Sequence, residues 1–377
     1  MATLKVLFVD NDPLVLKALQ RAARRIRPDW QILLCDAPSD WQQQITQTVD
    51  VVVCDYLMLG LRGNALLQQV REVMPGAIRV LLTGDTSPTV LESLNHCSHF
   101  MIGKPYTEQD LAFLFGCAER LQQLPFTADE RHYLGGLQEL PVMPKLLIKF
   151  KRIMLEPELD LEKLTELLSH DAVISGKLLQ YANSAFFGFG RKTTSLFEAI
   201  MRLGTKLTEA IVTSMLVDQT FAAQIPHAVL RSINDAAFQH AQLARQIVES
   251  LDWPTEAADE LFSAAMLSGL GRLIVAARMQ SQTPLKPENI TGSVSLAYFD
   301  SSALVSAYIL TLWGYPDDFG NMVLKQDTAA NEHNEQELKQ FILFITKRWL
   351  LANNTQRHNL LSMIETPALH AALQQRP

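Results

Sequence analysis

Leu4-Lys5-Val6-Leu7-Phe8-Val9-Asp10-Asn11-Asp12-Pro13 is a short apolar run that stops abruptly on an acidic cluster and a proline. A run of this length bounded by turn formers has the character of a buried strand. Leu14, Leu16, Leu19, Ala22 and Ala23 then follow at helical spacing. The alternation recurs along the chain, with strand candidates at Leu4–Val9, Gln31–Cys35, Val51–Cys54, Ile78–Leu82 and Phe100–Ile102, and a second helical stripe at Leu66, Leu67, Val70 and Val73. Strands alternating with helices build βαβ units. The first 124 residues are therefore expected to be an α/β unit with a five-stranded parallel sheet.

In open parallel sheets, ligands collect at the carboxyl ends of the strands. Here those ends carry Asp10-Asn11-Asp12, Asp55, Thr83-Gly84 and Lys104-Pro105. Carboxylates gathered at one edge repel each other unless a hard cation sits among them, and Mg²⁺ suits a small oxygen-rich site. Lys104 adds a second positive charge, and phosphoryl transfer depends chiefly on positioning and charge neutralisation of this kind. Asp55 is then the expected nucleophile. Taken singly, an acid after a strand is more often a helix cap or a solvated loop charge. Asp10, Asp55, Thr83 and Lys104, each ending a different candidate strand, form a set.

Through Val9-Asp10-Asn11-Asp12-Pro13, the stretch from Asp55 to Gly63, Leu82-Thr83-Gly84 and Lys104-Pro105, this region resembles the receiver domain of two-component response regulators. The resemblance implies a flavodoxin-like sheet of order 2-1-3-4-5 and phosphorylation of Asp55 by a sensor histidine kinase. It further implies Mg²⁺ held by Asp10, Asn11, Asp55 and the backbone carbonyl of Leu57, with Asp12 able to bend in, and Thr83 and Lys104 contacting the phosphoryl group. It also implies a cis Lys104-Pro105 bond. Asn11 stands where the family usually has Asp, keeping an oxygen and lacking its charge. Leu59 replaces a common Pro, and Met101 a common aromatic.

After Leu111, Leu114, Ala118 and Leu121, Pro125 breaks the helical pattern, and Gly135-Gly136, Pro141 and Pro144 punctuate again. A receiver over 1–124 and a short, semi-rigid connector over 125–135 are expected. Helical spacing dominates from Leu146 onward, with breakers at Pro157, Gly188, Gly190, Pro226, Pro254 and Pro316, which predicts an all-α domain over 136–330. Leu140-Pro141-Val142-Met143-Pro144, Ser169-His170-Asp171, the stretch from Leu178 to Gly188, that from Ser195 to Gly204, and Leu312-Trp313-Gly314-Tyr315-Pro316 resemble the HDOD family, relatives of the HD phosphohydrolases.

An HD enzyme needs several His and Asp ligands around its metals. Where the resemblance places the His-Asp pair, this chain has Ser268 and Gly269, poor metal ligands. Asp300-Ser301-Ser302-Ala303 lies where related proteins often carry a further His, which leaves His240. The literal pair His170-Asp171 reads as a helix junction with Asp171 as cap. The HDOD domain is thus expected to contain no catalytic residues and to signal by binding another protein. The alternative is a metal-dependent HD-type phosphohydrolase or cyclic-dinucleotide phosphodiesterase. Phe341, Ile342, Phe344, Ile345, Trp349, Leu350 and Leu351 predict a helix with one strong apolar face in a C-terminal extension over 331–377.

A length of 377 residues favours at least two domains, and 48% hydrophobic with 19% charged residues is the balance of a globular chain. The net charge of −7 and the lack of a terminal basic helix-turn-helix argue against nucleic acid as a partner. Cys35, Cys54, Cys97 and Cys117 lack close metal or redox spacing and read as reduced, buried thiols. Neither a signal peptide nor a membrane-length apolar window is read, so the expectation is a cytoplasmic phosphoprotein with no membrane partner. Its expected partners are a sensor histidine kinase and an unidentified downstream protein, and a homodimer stays open.

Overall fold

The computed structural model describes residues 3–44, 48–84, 97–137, 140–187, 191–282 and 302–376. Gly188, Gly190, Asp300 and Ser301, singled out above, lie outside them. The chain forms two compact units, residues 1–143 with 308–317, and residues 144–307 with 318–377.

The first unit contains β1 (Lys5–Val9), α1 (Pro13–Ile26), β2 (Gln31–Cys35), α2 (Trp41–Gln44), β3 (Val51–Asp55), α3 (Gly63–Val73), β4 (Ile78–Thr83), β5 (Phe100–Gly103), α4 (Glu108–Gln123) and α5 (Ala128–Gly136). The five strands are parallel in the order β2-β1-β3-β4-β5, as the resemblance implied. Register explains why the strands read as unbroken apolar runs. Leu7 lies level with Val52, and the line Val9, Cys54, Leu81 and Met101 joins it on one face, packed with Leu66, Leu67 and Val70 of α3. Side chains alternate along a strand, so Phe8, Val53, Val80 and Phe100, also in register, occupy the other face and are equally buried. In α1 the helical stripe holds for Leu16, Leu19, Ala22 and Ala23, whereas Leu14, in the first turn, is 73% exposed.

The stretch expected as a connector holds α5, opened by a capping box in which Thr127 and Glu130 each accept the other's backbone N–H. Its Leu134 is buried, and the Gly135 carbonyl accepts from Arg79 Nη2 at 2.9 Å. Arg79 is itself buried within β4. Its guanidinium also donates to the carbonyls of Cys97 (2.8 Å), Pro75 (3.0 Å) and Ala77 (3.2 Å), and Nη2 lies 3.1 Å from His99 Nε2. Burial lowers the Arg79 guanidinium to about 10, and burial with the Arg79 charge holds the His99 imidazole well below its ordinary value, hence neutral. Tyr308, from the segment 308–317, sets its ring near His99 and Phe126 in this same unit, with centroids at 6.4 and 6.2 Å.

The second unit is helical throughout its described residues. It contains α6 (Lys145–Met154), α7 (Leu161–Ser169), α8 (Ala172–Ala182), α9 (Leu196–Phe221), α10 (His227–Ser250), α11 (Thr255–Leu267) and α12 (Leu270–Gln282). After α13 (Ser302–Leu312), divided between the units, come α14 (Asp317–Lys325), α15 (Glu335–Leu351), α16 (Asn354–Leu361) and α17 (Pro367–Gln374). Within α9, Gly204 takes φ +75°, a left-handed value open to glycine, and divides the helix into two pieces. Residues 340–347 of α15 are buried without interruption, so this stretch is enclosed all round, whereas Leu350 and Leu351, expected on its apolar face, are exposed. A second correction concerns Thr255–Ser281, which is long and apolar enough to cross a membrane although no such window was expected. Most of it is buried inside the protein, as in a core helix. All four cysteines are buried thiols.

Candidate functional site

The sheet register brings four strand ends to one edge. Val9 lies level with Cys54, Asp55 with Leu82 and Thr83 with Gly103. Asp10, Asp55, Thr83 and Lys104 therefore meet at the carboxyl side. The chain leaves β1 towards β2 on one side and returns to β3 on the other, and this reversal opens the crevice where such sheets bind ligands. Gly63 shapes its floor, because a Cβ there would lie 2.2 Å from the Asp55 carbonyl oxygen.

Asp55 Oδ1 pairs with Lys104 Nζ at 2.9 Å and accepts the Tyr56 N–H at 2.8 Å. Asp10 is buried, and its Oδ1 accepts the Asp12 N–H at 2.8 Å, while its buried Oδ2 has no hydrogen-bond partner. Burial raises the Asp10 carboxyl above its ordinary value. The Asp12 N–H opposes that rise, the Asp55 charge adds to it, and Lys104 opposes it again. Thr83 is buried at the end of β4, and the Lys104-Pro105 bond is cis.

Other expected members lie differently. Asn11 is exposed, and Asp12 caps α1 by accepting the Leu14 N–H at 2.8 Å. The Leu57 side chain is exposed. Among the described residues, no group of three or more His, Cys, Asp or Glu side chains gathers as a metal cage would. Two carboxylates, one with an orphaned buried oxygen, fit a cation that keeps much of its water, which is the habit of Mg²⁺. Tyr106 was missed in the sequence. Burial raises its phenol, and so do the charges of Asp10 and Asp55. Its only signal was its place two residues after Lys104.

In the helical unit, Ser268, Gly269 and His240, read above against the HD metal site, have their polar groups engaged within the protein or carry no side chain to offer. Ser268 Oγ donates to the Ala265 carbonyl at 2.7 Å, and a Cβ at Gly269 would lie 3.0 Å from Ala237 Cβ. Ser306 Oγ accepts the Gly271 N–H at 2.8 Å and donates to the Ser268 carbonyl at 2.9 Å. His240 is buried with Nε2 3.0 Å from the Leu343 carbonyl, and burial lowers its imidazole to about 3. Asp171 caps α8 by accepting from Val173 and Ile174 at 2.9 and 3.0 Å, the role expected for the His170-Asp171 junction.

The motif around Asn183 is also architectural. Asn183 Oδ1 accepts the Thr193 N–H at 2.7 Å and Nδ2 donates to the Thr193 carbonyl at 2.8 Å. Thr193 Oγ1 donates to Glu198, which pairs with Arg191 and Arg202. These groups pull the Glu198 carboxyl down to about 2, the Thr193 hydroxyl foremost.

A model of the HDOD domain family matches residues 140–329, half of the chain. The chain belongs to the HDOD family. Several solved structures are similar to this HDOD protein at low identity. One, from Shewanella amazonensis SB2B and provisionally named a metal-dependent phosphohydrolase, is 18% identical, with a TM-score of 0.48 over 66% of this chain and 99% of that one. An HDOD domain protein of unknown function from Geobacter sulfurreducens is 15% identical, with a TM-score of 0.47 over 68% and 88%. The signal receiver domain of an HD domain-containing protein from Pseudomonas fluorescens Pf-5 is 21% identical, with a TM-score of 0.29 over 35% and 99%. Among curated proteins, an uncharacterized protein of Treponema pallidum (strain Nichols) is 29% identical over 70 residues, spanning 19% of this chain and 14% of that protein's length. In this HDOD protein, an α/β unit with the strand order 2-1-3-4-5 expected of a receiver precedes the HDOD domain.

Proposed function

We propose that this HDOD protein is the response regulator of a phosphorelay, phosphorylated on Asp55 by a sensor histidine kinase and signalling through a non-catalytic, protein-binding HDOD domain. The carrying observation is Lys104 Nζ 2.9 Å from Asp55 Oδ1, beside the unpartnered Oδ2 of Asp10. With Lys104 and the Tyr56 N–H on Oδ1, the other Asp55 oxygen attacks phosphorus. An O–P bond forms as the P–N bond to the kinase imidazole breaks, and the imidazole leaves with the electron pair. Lys104 then orients and neutralises the phosphoryl oxygens, and Thr83 offers its hydroxyl from β4. Asp10 and Asp55, with the Leu57 carbonyl, would hold Mg²⁺, which supplies charge neutralisation when bound. Asn11, exposed beside Asp10, would add a neutral oxygen ligand, and Asp12 a further one if it bends in from its cap on α1.

For the HDOD domain, the binding role is supported by where its polar groups are engaged. Ser268 and His240 bond to backbone carbonyls, and Gly269 has no side chain to offer. The alternative, an HD-type phosphohydrolase or cyclic-dinucleotide phosphodiesterase, requires ligands at these places. The reading includes a cytoplasmic location, a downstream protein partner, and no nucleic-acid or membrane partner. Incubation of the full chain with acetyl phosphate and Mg²⁺ should add one phosphoryl group by intact-mass spectrometry, and Asp55→Asn or omission of Mg²⁺ should abolish it. No incorporation into the wild type, or equal incorporation into Asp55→Asn, overturns the proposal.

A further inference from the structure

The second unit holds an open cleft of about 470 Å³ whose walls include three helical pairs at i, i+4 spacing. Lys177 and Tyr181 come from α8, Ser214 and Asp218 from α9, and Asn234 and Phe238 from α10. This volume lies in the range of clefts that hold ligands of metabolite size.

Two polar atoms in the lining are buried without a hydrogen-bond partner, Asp218 Oδ1 and Ser184 Oγ. A buried orphan acceptor is costly, so its persistence on a cleft wall points to a group that meets it there. Burial pushes the Asp218 carboxyl up to about 6, against the pull of the Asn234 amide that holds it and of Lys177. The apolar share of the wall is aromatic. Tyr181 and Phe238 lie 5.5 Å apart between centroids, and Phe186 lies 6.4 Å from Phe238. The Lys177 ammonium sits 5.2 Å from the Tyr181 centroid, so that ring face already attracts positive charge.

These features select a ligand by chemistry. Asp218 and Asp235 against the single Lys177 disfavour a phosphate or another anion. Orphaned carboxylate and hydroxyl oxygens disfavour a purely aliphatic guest. A flat ring that donates N–H groups satisfies both the oxygens and the aromatic walls, as a nucleobase does when a protein carboxylate reads it.

We propose that this cleft binds an uncharged or cationic nitrogen heterocycle of the nucleobase and nucleoside class, its N–H accepted by Asp218 Oδ1 and its ring set against Tyr181 and Phe238. The site is independent of Asp55 and would give the HDOD domain a small-molecule input of its own.

Calorimetric titration of the full chain with adenosine, guanosine and cytidine, and with each 5′-monophosphate, tests this. At least one nucleoside should bind saturably at one site. Asp218→Asn should weaken it by about tenfold or more, the scale of a lost hydrogen bond to a charged group. Ser184→Ala and Phe238→Leu should weaken it by a smaller factor, and the matching monophosphate should bind less well than its nucleoside. Circular dichroism of each variant confirms folding, and the conservative Ser184→Ala keeps the test open if another variant unfolds. Absence of saturable binding by all three nucleosides, unchanged affinity in Asp218→Asn, or tighter binding of the monophosphates overturns the proposal.

Discussion

The edge of the parallel sheet and the Ser268 corner of the helical unit are both places where polar side chains gather beneath the surface, and they resolve that burden in opposite ways. At the sheet edge, Asp10 Oδ2 is left unpartnered beside an Asp55 that pairs with Lys104. At the corner, Ser268, Ser306 and His240 each close onto a backbone group of the protein itself. Bonds completed internally stabilise a fold, and groups left incomplete are available to react. The contrast separates the two sites better than residue type does, since His and Ser are commoner in catalysis than a lone Asp pair.

The largest effect that sharpens this contrast is expected at Lys104. Lys104→Met should slow incorporation from acetyl phosphate by about 10²–10³-fold, the usual cost of removing one charge-stabilising group, while leaving the fold intact by circular dichroism. A rate within a factor of two of wild type would remove Lys104 from the reacting group. Next is Gly271→Ala, whose Cβ would lie 1.9 Å from the Ser302 carbonyl oxygen and 2.7 Å from Ser306 Oγ. It should cost about 3 kcal/mol in urea unfolding, with phosphorylation of the folded fraction unchanged. His240→Leu should cost about 0.5–1.5 kcal/mol, because the Leu343 carbonyl, which also accepts from Thr346 Oγ1, loses one of its buried donors. If that variant instead lost a bound transition metal or a hydrolytic activity, the corner would be a reactive site and the comparison would fail.

The smallest expected effect is a gain. The Asp10 carboxyl is raised in the fold, so its charge opposes folding at neutral pH, and the penalty is relieved as pH falls through the raised value towards 3.8. Asp10→Asn should therefore melt roughly 2 °C higher than wild type at pH 7.5, with the gap closing as pH approaches 4. A gap that widened on acidification would reverse the sign assigned to Asp10.

Much of the sheet was legible because each strand is a short apolar run closed by a polar residue, and parallel burial leaves few ways to arrange five of them. Asp55 and Lys104 were visible for the same reason, since a strand end is a fixed place. Tyr106 and Arg79 were not. Tyr106 sits in a loop, where spacing carries no direction, and Arg79 looks like an outward polar residue until the 75–77 and 97–99 segments fold over it. Helix α15 shows a related limit, for the pattern marked an apolar face without revealing that neighbours close over the other sides. The cleft was hidden because spacing places Lys177 with Tyr181, Ser214 with Asp218 and Asn234 with Phe238 on their own helices and says nothing of which helices face each other. The junction at 125–135 was read from proline and glycine alone, and the capping box at Thr127 was the overlooked helix signal.

Arg79 also bears on where this chain can be divided for study. Its Nη2, which also faces His99, donates to the carbonyl of Gly135, well past the helix that closes the sheet. A fragment ending at residue 124 would expose a cation that the longer chain seals with backbone dipoles, and a fragment ending at 143 would keep that seal. Proteolytic trimming should therefore stop beyond α5. The inheritable piece, the one that could be shuffled between proteins without unravelling, would be set by one guanidinium rather than by the last strand of the sheet.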